Sequence, residues 1–161
     1  MKADSANIII GFCVVFLISL LVSGCNRQER RFDRFVHKFG MVPDKGAFAV
    51  IVIPATGCSG CIRAGLGFMK KRLGRPEYKF IVTAIHDRKL FRIRVGEDVY
   101  NHASLIKDIH DIWEQEGLKS IYPQVGIYVD GRLQTLGYID PYKKHTWKVL
   151  DNVELSAIKE F

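Results

Sequence analysis

The chain has only four cysteines and five prolines in 161 residues, and it contains no glycine-rich phosphate loop, dinucleotide fingerprint or flavin motif. No built-in nucleotide or flavin cofactor is therefore expected. Repeats and low-complexity segments are missing too, which leaves one globular domain of ordinary size. No apolar run reaches the roughly 20 residues of a transmembrane helix. Acidic residues are outnumbered, 17 against 24 Lys and Arg, for a formal charge of +7. No basic stretch is interleaved with stacking aromatics, so nucleic-acid binding is not expected.

The longest uncharged run, "IIIGFCVVFLISLLV" from Ile8 to Val22, follows a short segment carrying Lys2. Its length suits the apolar core of an export signal. The alternative is an uncleaved anchor with an incidental cysteine. Val22, Ser23, Gly24 and Cys25 come directly after it and resemble the bacterial lipobox. That resemblance implies a signal over residues 1–24, lipid on Cys25, and a mature chain held at the bacterial cell envelope facing the periplasm. The missing Asp at position 26 favours the outer membrane by resemblance to sorting in well-studied bacteria. Signal removal leaves the net charge unchanged, because Lys2 and Asp4 cancel. Much of the positive excess lies in "RQERRFDRFVHK" and "FMKKRLGR", read either as solvated faces or as attraction to anionic headgroups.

Cys13 leaves with such a signal and Cys25 carries lipid, so Cys58 and Cys61 remain as a pair without rivals. A bridge closing so short a loop restrains little of the unfolded chain and makes a poor staple. Redox use is favoured over bracing.

Past the signal, residues 25–43 read as a tether and an amphipathic helix, with Phe32, Phe35, Val36 and Phe39 on one face to dock on the core. Gly40 ends it. "AFAVIVI" from Ala47 reads as a central strand buried on both faces. A helix from Cys58 puts Ile62, Leu66, Met69 and Leu73 on one stripe and ends at Gly74. "YKFIVTAI" is a second strand, completing a βαβ unit with parallel pairing. "LFRIRV", within an insertion over 86–101, alternates like an exposed edge strand. "ASLIKDIHDIWEQEG" reads as a helix with Leu105, Ile109, Ile112 and Trp113 sharing a face. Asp130 and Gly131 between "VGIYV" and "RLQTLGYI" are a type I′ hairpin signal. A last helix is expected over Lys144 to Phe161.

Strand, Cys58-Ser59-Gly60-Cys61 at a helix start, helix, strand, helix, Tyr122-Pro123, hairpin, helix: this order resembles the thioredoxin fold from about Ala47 to the C-terminus. The resemblance implies an α/β domain over 44–161, three-layer α/β/α around a central mixed sheet. It also implies a lipid-anchored thiol–disulfide oxidoreductase acting on protein thiols and disulfides. Cys58, at the positive end of a helix, would be the nucleophile and Cys61 the resolving thiol. Arg63 adds positive charge there or is an ordinary solvated residue. Pro123 would be cis, and with Tyr122 would form the substrate-facing lip.

Some positions depart from the family. Gly57 and Gly60 stand where its commonest form has tryptophan and proline, and Val52 stands where thioredoxin has its buried acid. Two other readings stay open. In copper chaperones of this fold, three residues separate the cysteines and a distant histidine completes the site; here the spacing is two, and His86, His102 and His110 are the histidines considered. No metal site is assigned. The other reading is a non-catalytic binding module.

Overall fold

A computed structural model describes residues 27–41 and 45–139. The signal, Cys25 and the expected helix over Lys144–Phe161 lie outside the described residues. Among those described, no helix is long and apolar enough to cross a membrane.

Residues 27–38 form the first helix, α1, and Gly40 stops it at a φ of 62°. The β-branched run at Ala47–Pro54 forms β1, and the Ser59–Arg72 helix, α2, follows it. Next come β2 (Tyr78–Thr83), α3 (Arg88–Val95) and the single turn α4 (Glu97–Tyr100). A short β3 (Leu105–Lys107) leads to a short α5 (Ile112–Gln115). Strands β4 (Gln124–Val129) and β5 (Arg132–Tyr138) end the described chain.

The protein is α/β, with a five-stranded mixed sheet in the order β3-β2-β1-β4-β5. Strand β1 lies in the middle, parallel to β2 and antiparallel to β4. Its continuous apolar run reflects that place, since period-two side chains need cover on both faces. Ala49, Ile51 and Ile53 join one core cluster with Ile62, Leu66, Phe68 and Met69 of α2 and Phe91 and Val95 of α3. Phe48, Val50 and Val52 join the other, with Phe32, Phe35 and Val36 of α1, Trp113 and Tyr128. The docking expected of α1 is found, and its approach is close: a Cβ on Gly126 of β4 would overlap the Phe32 ring. Polar contacts fix the same helix. Asp33 accepts from the Tyr128 hydroxyl at 3.1 Å, and Glu116 takes Lys38 at 2.6 Å and Arg34 at 3.1 Å.

The type I′ turn forms as expected, with φ of 47° at Asp130 and 76° at Gly131. Two expectations are corrected. "LFRIRV" lies in helix α3: Asp87 caps it by accepting from the Leu90 N–H at 2.8 Å, and the buried residues Phe91 and Val95 are four apart. The expected helix over "ASLIKDIHDIWEQEG" is instead β3, a bend and α5. Leu105 pairs with Phe80 in the sheet, and buried Asp108 accepts from Ile112 and Trp113 N–H at 2.9 Å each, starting a new helix there. Gly117, at a φ of 68°, follows that helix as expected.

Candidate functional site

Strand β1 ends at Pro54, and the chain turns through Gly57 so that Cys58 becomes the N-cap of α2. Cys58 Sγ accepts from the Cys61 N–H at 3.4 Å, and the Ile62 N–H donates to the Cys58 carbonyl at 2.9 Å. Three residues on, Cys61 lies one turn inside the helix. Its sulfur is bonded to Cys58 in a disulfide with Cα atoms 5.3 Å apart. The two sulfurs live in different surroundings. Cys58 is half-buried at the surface, whereas Cys61 is 1% exposed. The first turn of α2 holds no acidic residue and its last turn holds Lys70, Lys71 and Arg72. Unpaired N–H groups at the Cys58 end thus meet no opposing carboxylate on the helix, an arrangement that favours a thiolate when the bond opens.

A second segment forms the rim. Ile121 accepts from the Cys58 N–H at 3.4 Å through its carbonyl. Ser120 Oγ accepts from the Tyr122 N–H at 3.0 Å and donates to the Tyr122 carbonyl at 2.7 Å, pinching this loop into shape. The loop runs so close to Gly57, whose φ is 120°, that a Cβ there would stand 3.1 Å from the Ile121 Cα, Cβ and carbonyl oxygen. No bulky side chain fits before Cys58 on this backbone.

Pro123 is buried behind the rim, and a Cβ on Gly65 of α2 would meet its ring at 3.4 Å. The cis bond expected before Pro123 is corrected: the described residues contain no cis peptide. Leaving the Ser120 turn, the chain enters β4 at Gln124 in an extended path, so Pro123 serves as the residue before a strand, where its missing N–H costs no ladder bond. Its carbonyl still accepts from Ile139 at 2.8 Å. The structure therefore brings Cys58, Cys61, Tyr122 and Pro123 to one end of the sheet.

Sequence reasoning missed what lies beneath. Gln124, 1% exposed, is directly opposite Val52, and Thr83, 0% exposed, is paired with Pro54, so both are on the α1 side of the sheet at the end of β1 nearest the disulfide. The Gln124 amide and the Thr83 hydroxyl have no hydrogen-bond partner among the described residues. Burying an unpaired polar group costs about 1–3 kcal/mol. Only the register of β4 against β1 brings Gln124 to this position, and no local pattern signals it.

The histidines go elsewhere. His86 lines a shallow pocket with Ala55, Thr56 and Leu90, and His102 lies beside Gly74. Among the described residues, no three His, Cys, Asp or Glu side chains come together as a metal-sized group. No protein-family model matches the chain, and no curated protein matches it either.

Proposed function

We propose that this chain is an exported, lipid-anchored thiol–disulfide oxidoreductase of thioredoxin-like, three-layer build, exchanging disulfides with partner proteins through Cys58 and Cys61. The observation that carries this reading is the unequal placement of the bonded cysteines, one half-buried at a helix N-cap and the other 1% exposed. A staple has no need of that asymmetry. Exchange does, because an incoming thiolate must reach one sulfur and expel the other.

A partner thiolate attacks Cys58 Sγ, the Cys58–Cys61 bond breaks, and Cys61 leaves as a thiolate that takes a proton. A second partner thiolate then attacks the mixed disulfide and releases Cys58. Two electrons enter the pair, and the partner leaves with a disulfide. Run backwards, the same steps reduce a partner. Tyr122 would border the partner's segment as it crosses Cys58, with buried Pro123 backing that rim from behind. The anchor would be lipid on Cys25 after removal of residues 1–24, with 25–43 linking it to a domain over 44–161, and electrons would be exchanged with a further protein at the membrane or in the periplasm.

Trapping tests the proposal. A Cys61→Ser chain should accumulate mixed disulfides through Cys58, visible as thiol-sensitive adducts on non-reducing gels, and their absence under both oxidising and reducing conditions refutes it. One observation favours a second reading, a non-catalytic binding module: Val52, at the position of thioredoxin's buried acid, is 1% exposed and offers no proton acceptor there. That module would give no adducts.

A further inference from the structure

Beside Ser59, the residue after Cys58, a groove of about 380 Å³ opens along α2 and is closed on its far side by Arg94 of α3. Its floor is apolar, made by Ile62 and Leu66, each 5% exposed. Its walls carry Arg63, Lys70 and Arg94. Lys70 Nζ donates to the Arg94 carbonyl at 3.3 Å, and Arg94 Nη1 donates to the Ala55 carbonyl at 3.3 Å. These bonds go to carbonyls. Among the described residues no carboxylate pairs with Arg63, Lys70 or Arg94. Neither α2 nor α3 contains an Asp or Glu, so the charge lining the groove is uncompensated by its own helices.

We propose that this groove receives the part of a partner polypeptide that flanks its reacting cysteine, and that it selects partners carrying Asp or Glu interspersed with aliphatic residues there. The inference rests on the disulfide-exchange reading and adds a substrate class to it. The reach follows from helix geometry. From Ser59 to Lys70 the groove extends about 16 Å, at about 1.5 Å per residue. At about 3.3 Å per residue an extended chain covers that with about five residues. Acidic side chains within that distance of the partner's cysteine meet Arg63, Lys70 and Arg94, and an aliphatic one fills the floor. Such charge pairing acts on the encounter rate and weakens as salt rises. A lipid surface fits less well, because the apolar floor is recessed between the cations while a bilayer is broad. The exposed Leu90 and Ile93 of α3 make that alternative worth testing in the same experiment.

The experiment uses the full chain in detergent, reduced, and three cysteine peptides flanked by Glu, Gln or Lys around shared leucines. Each peptide is supplied as a mixed disulfide with a chromophoric thiol. Cys58 thiolate attacks the peptide sulfur and expels the chromophore. Cys61 thiolate then expels the peptide, so two electrons pass from the dithiol to the probe. At low salt the Glu peptide should react about tenfold faster than the Lys peptide. The ratio should shrink toward one at high salt, and the doubly substituted Arg63→Glu, Lys70→Glu chain should lose it. A ratio within twofold of one at low salt, with the Gln peptide reacting normally, overturns the groove and leaves exchange standing. If no peptide reacts, exchange itself has failed. Anisotropy of the labelled Glu peptide with the Cys58→Ser, Cys61→Ser chain then decides the groove: binding that salt and Lys70→Glu abolish supports it, and no binding overturns it. Charge-dependent attachment to phosphatidylglycerol vesicles, lost in the double variant without any preference among peptides, also overturns the proposal in favour of a membrane.

Discussion

Replacing Gly57 with alanine probes how tightly the rim is drawn over the disulfide. At a φ of 120° the alanine backbone is strained by about 1–3 kcal/mol. Its Cβ would also stand 3.1 Å from the Ile121 Cα and carbonyl oxygen, main-chain atoms that cannot swing aside as a side chain would. The loop must back away by a few tenths of an ångström, which strains the 3.4 Å bond from the Cys58 N–H to Ile121, itself worth about 0.5–1.5 kcal/mol. Together these effects amount to about 2–4 kcal/mol. With a urea dependence of about 2 kcal/mol per molar for a chain of this size, the unfolding midpoint should fall by about 1–2 M. Gly60 is the control, because it lies in the first turn of α2 with no atom within 4 Å of a built Cβ. Gly60→Ala should be neutral or stabilising by up to about 1 kcal/mol. Urea titration of the oxidised full-length chains, read by circular dichroism, makes the comparison. A Gly57→Ala midpoint within about 0.3 M of the parent, or equal losses at both glycines, would refute the close approach of the rim.

Other expectations can be checked with the same measurement. Thr83→Val removes a buried hydroxyl without a partner while keeping its shape, and should leave stability unchanged or raise it by about 1–3 kcal/mol; a loss beyond about 1 kcal/mol contradicts its unpaired state. Gly126→Ala forces Phe32 out of a core where it is 0% exposed and should cost about 1–3 kcal/mol, with the Gly126→Ala, Phe32→Leu pair recovering part of that. Lys38, then Arg34, holds the Glu116 carboxyl below its ordinary value of 4.5, so the stability it contributes is present above that value and is lost as pH falls below it. Unfolding midpoints between neutral and acid pH should decline less steeply for Glu116→Gln. Burial, with Asp33 alongside, pushes the Tyr128 phenol well above its ordinary 10.0, so the unfolded chain releases that proton first and stability falls as pH rises past 10. Tyr128→Phe should flatten that alkaline decline.

Much of the scaffold could be read from the sequence where pattern and punctuation agreed. The β1 run, the α2 stripe after Cys58, the parallel β2 and the Asp130-Gly131 turn each carried a periodicity and a stop signal pointing the same way. "LFRIRV" failed because a six-residue window cannot separate period two from a four-residue spacing, and the deciding signal was the Asp87 cap outside it. Leu105 to Trp113 failed for a different reason. Its apolar spacing was helical, but partners far along the chain, Phe80 for Leu105 and the buried Asp108 side chain for the next turn, overrode it. At the site, Cys58 and Cys61 were legible from their spacing, whereas Gly57 looked like a departure without a cause. The cause is Ile121, more than sixty positions later in the sequence. Gln124 and Arg94 join the region only through sheet register and helix placement, which no local window contains.

Helix α1 also sets the order in which this molecule can assemble. Its three buried residues Phe32, Phe35 and Val36 complete their cover only with Trp113, Leu118 and Tyr128, much later in the chain, and the bond from Tyr128 to Asp33 spans 95 positions. A ribosome adding about 5–20 residues per second needs about 5–20 s to make that much chain. Until Trp113 and Tyr128 exist, the phenylalanines have only the β1 and β2 part of their cluster to settle against, and β1 lacks its antiparallel neighbour β4. Native closure of this face is thereby deferred until β4 has been made. Under the export proposed above, this delay would keep the chain open enough to be threaded, with the apolar face of α1 among the last surfaces to be covered.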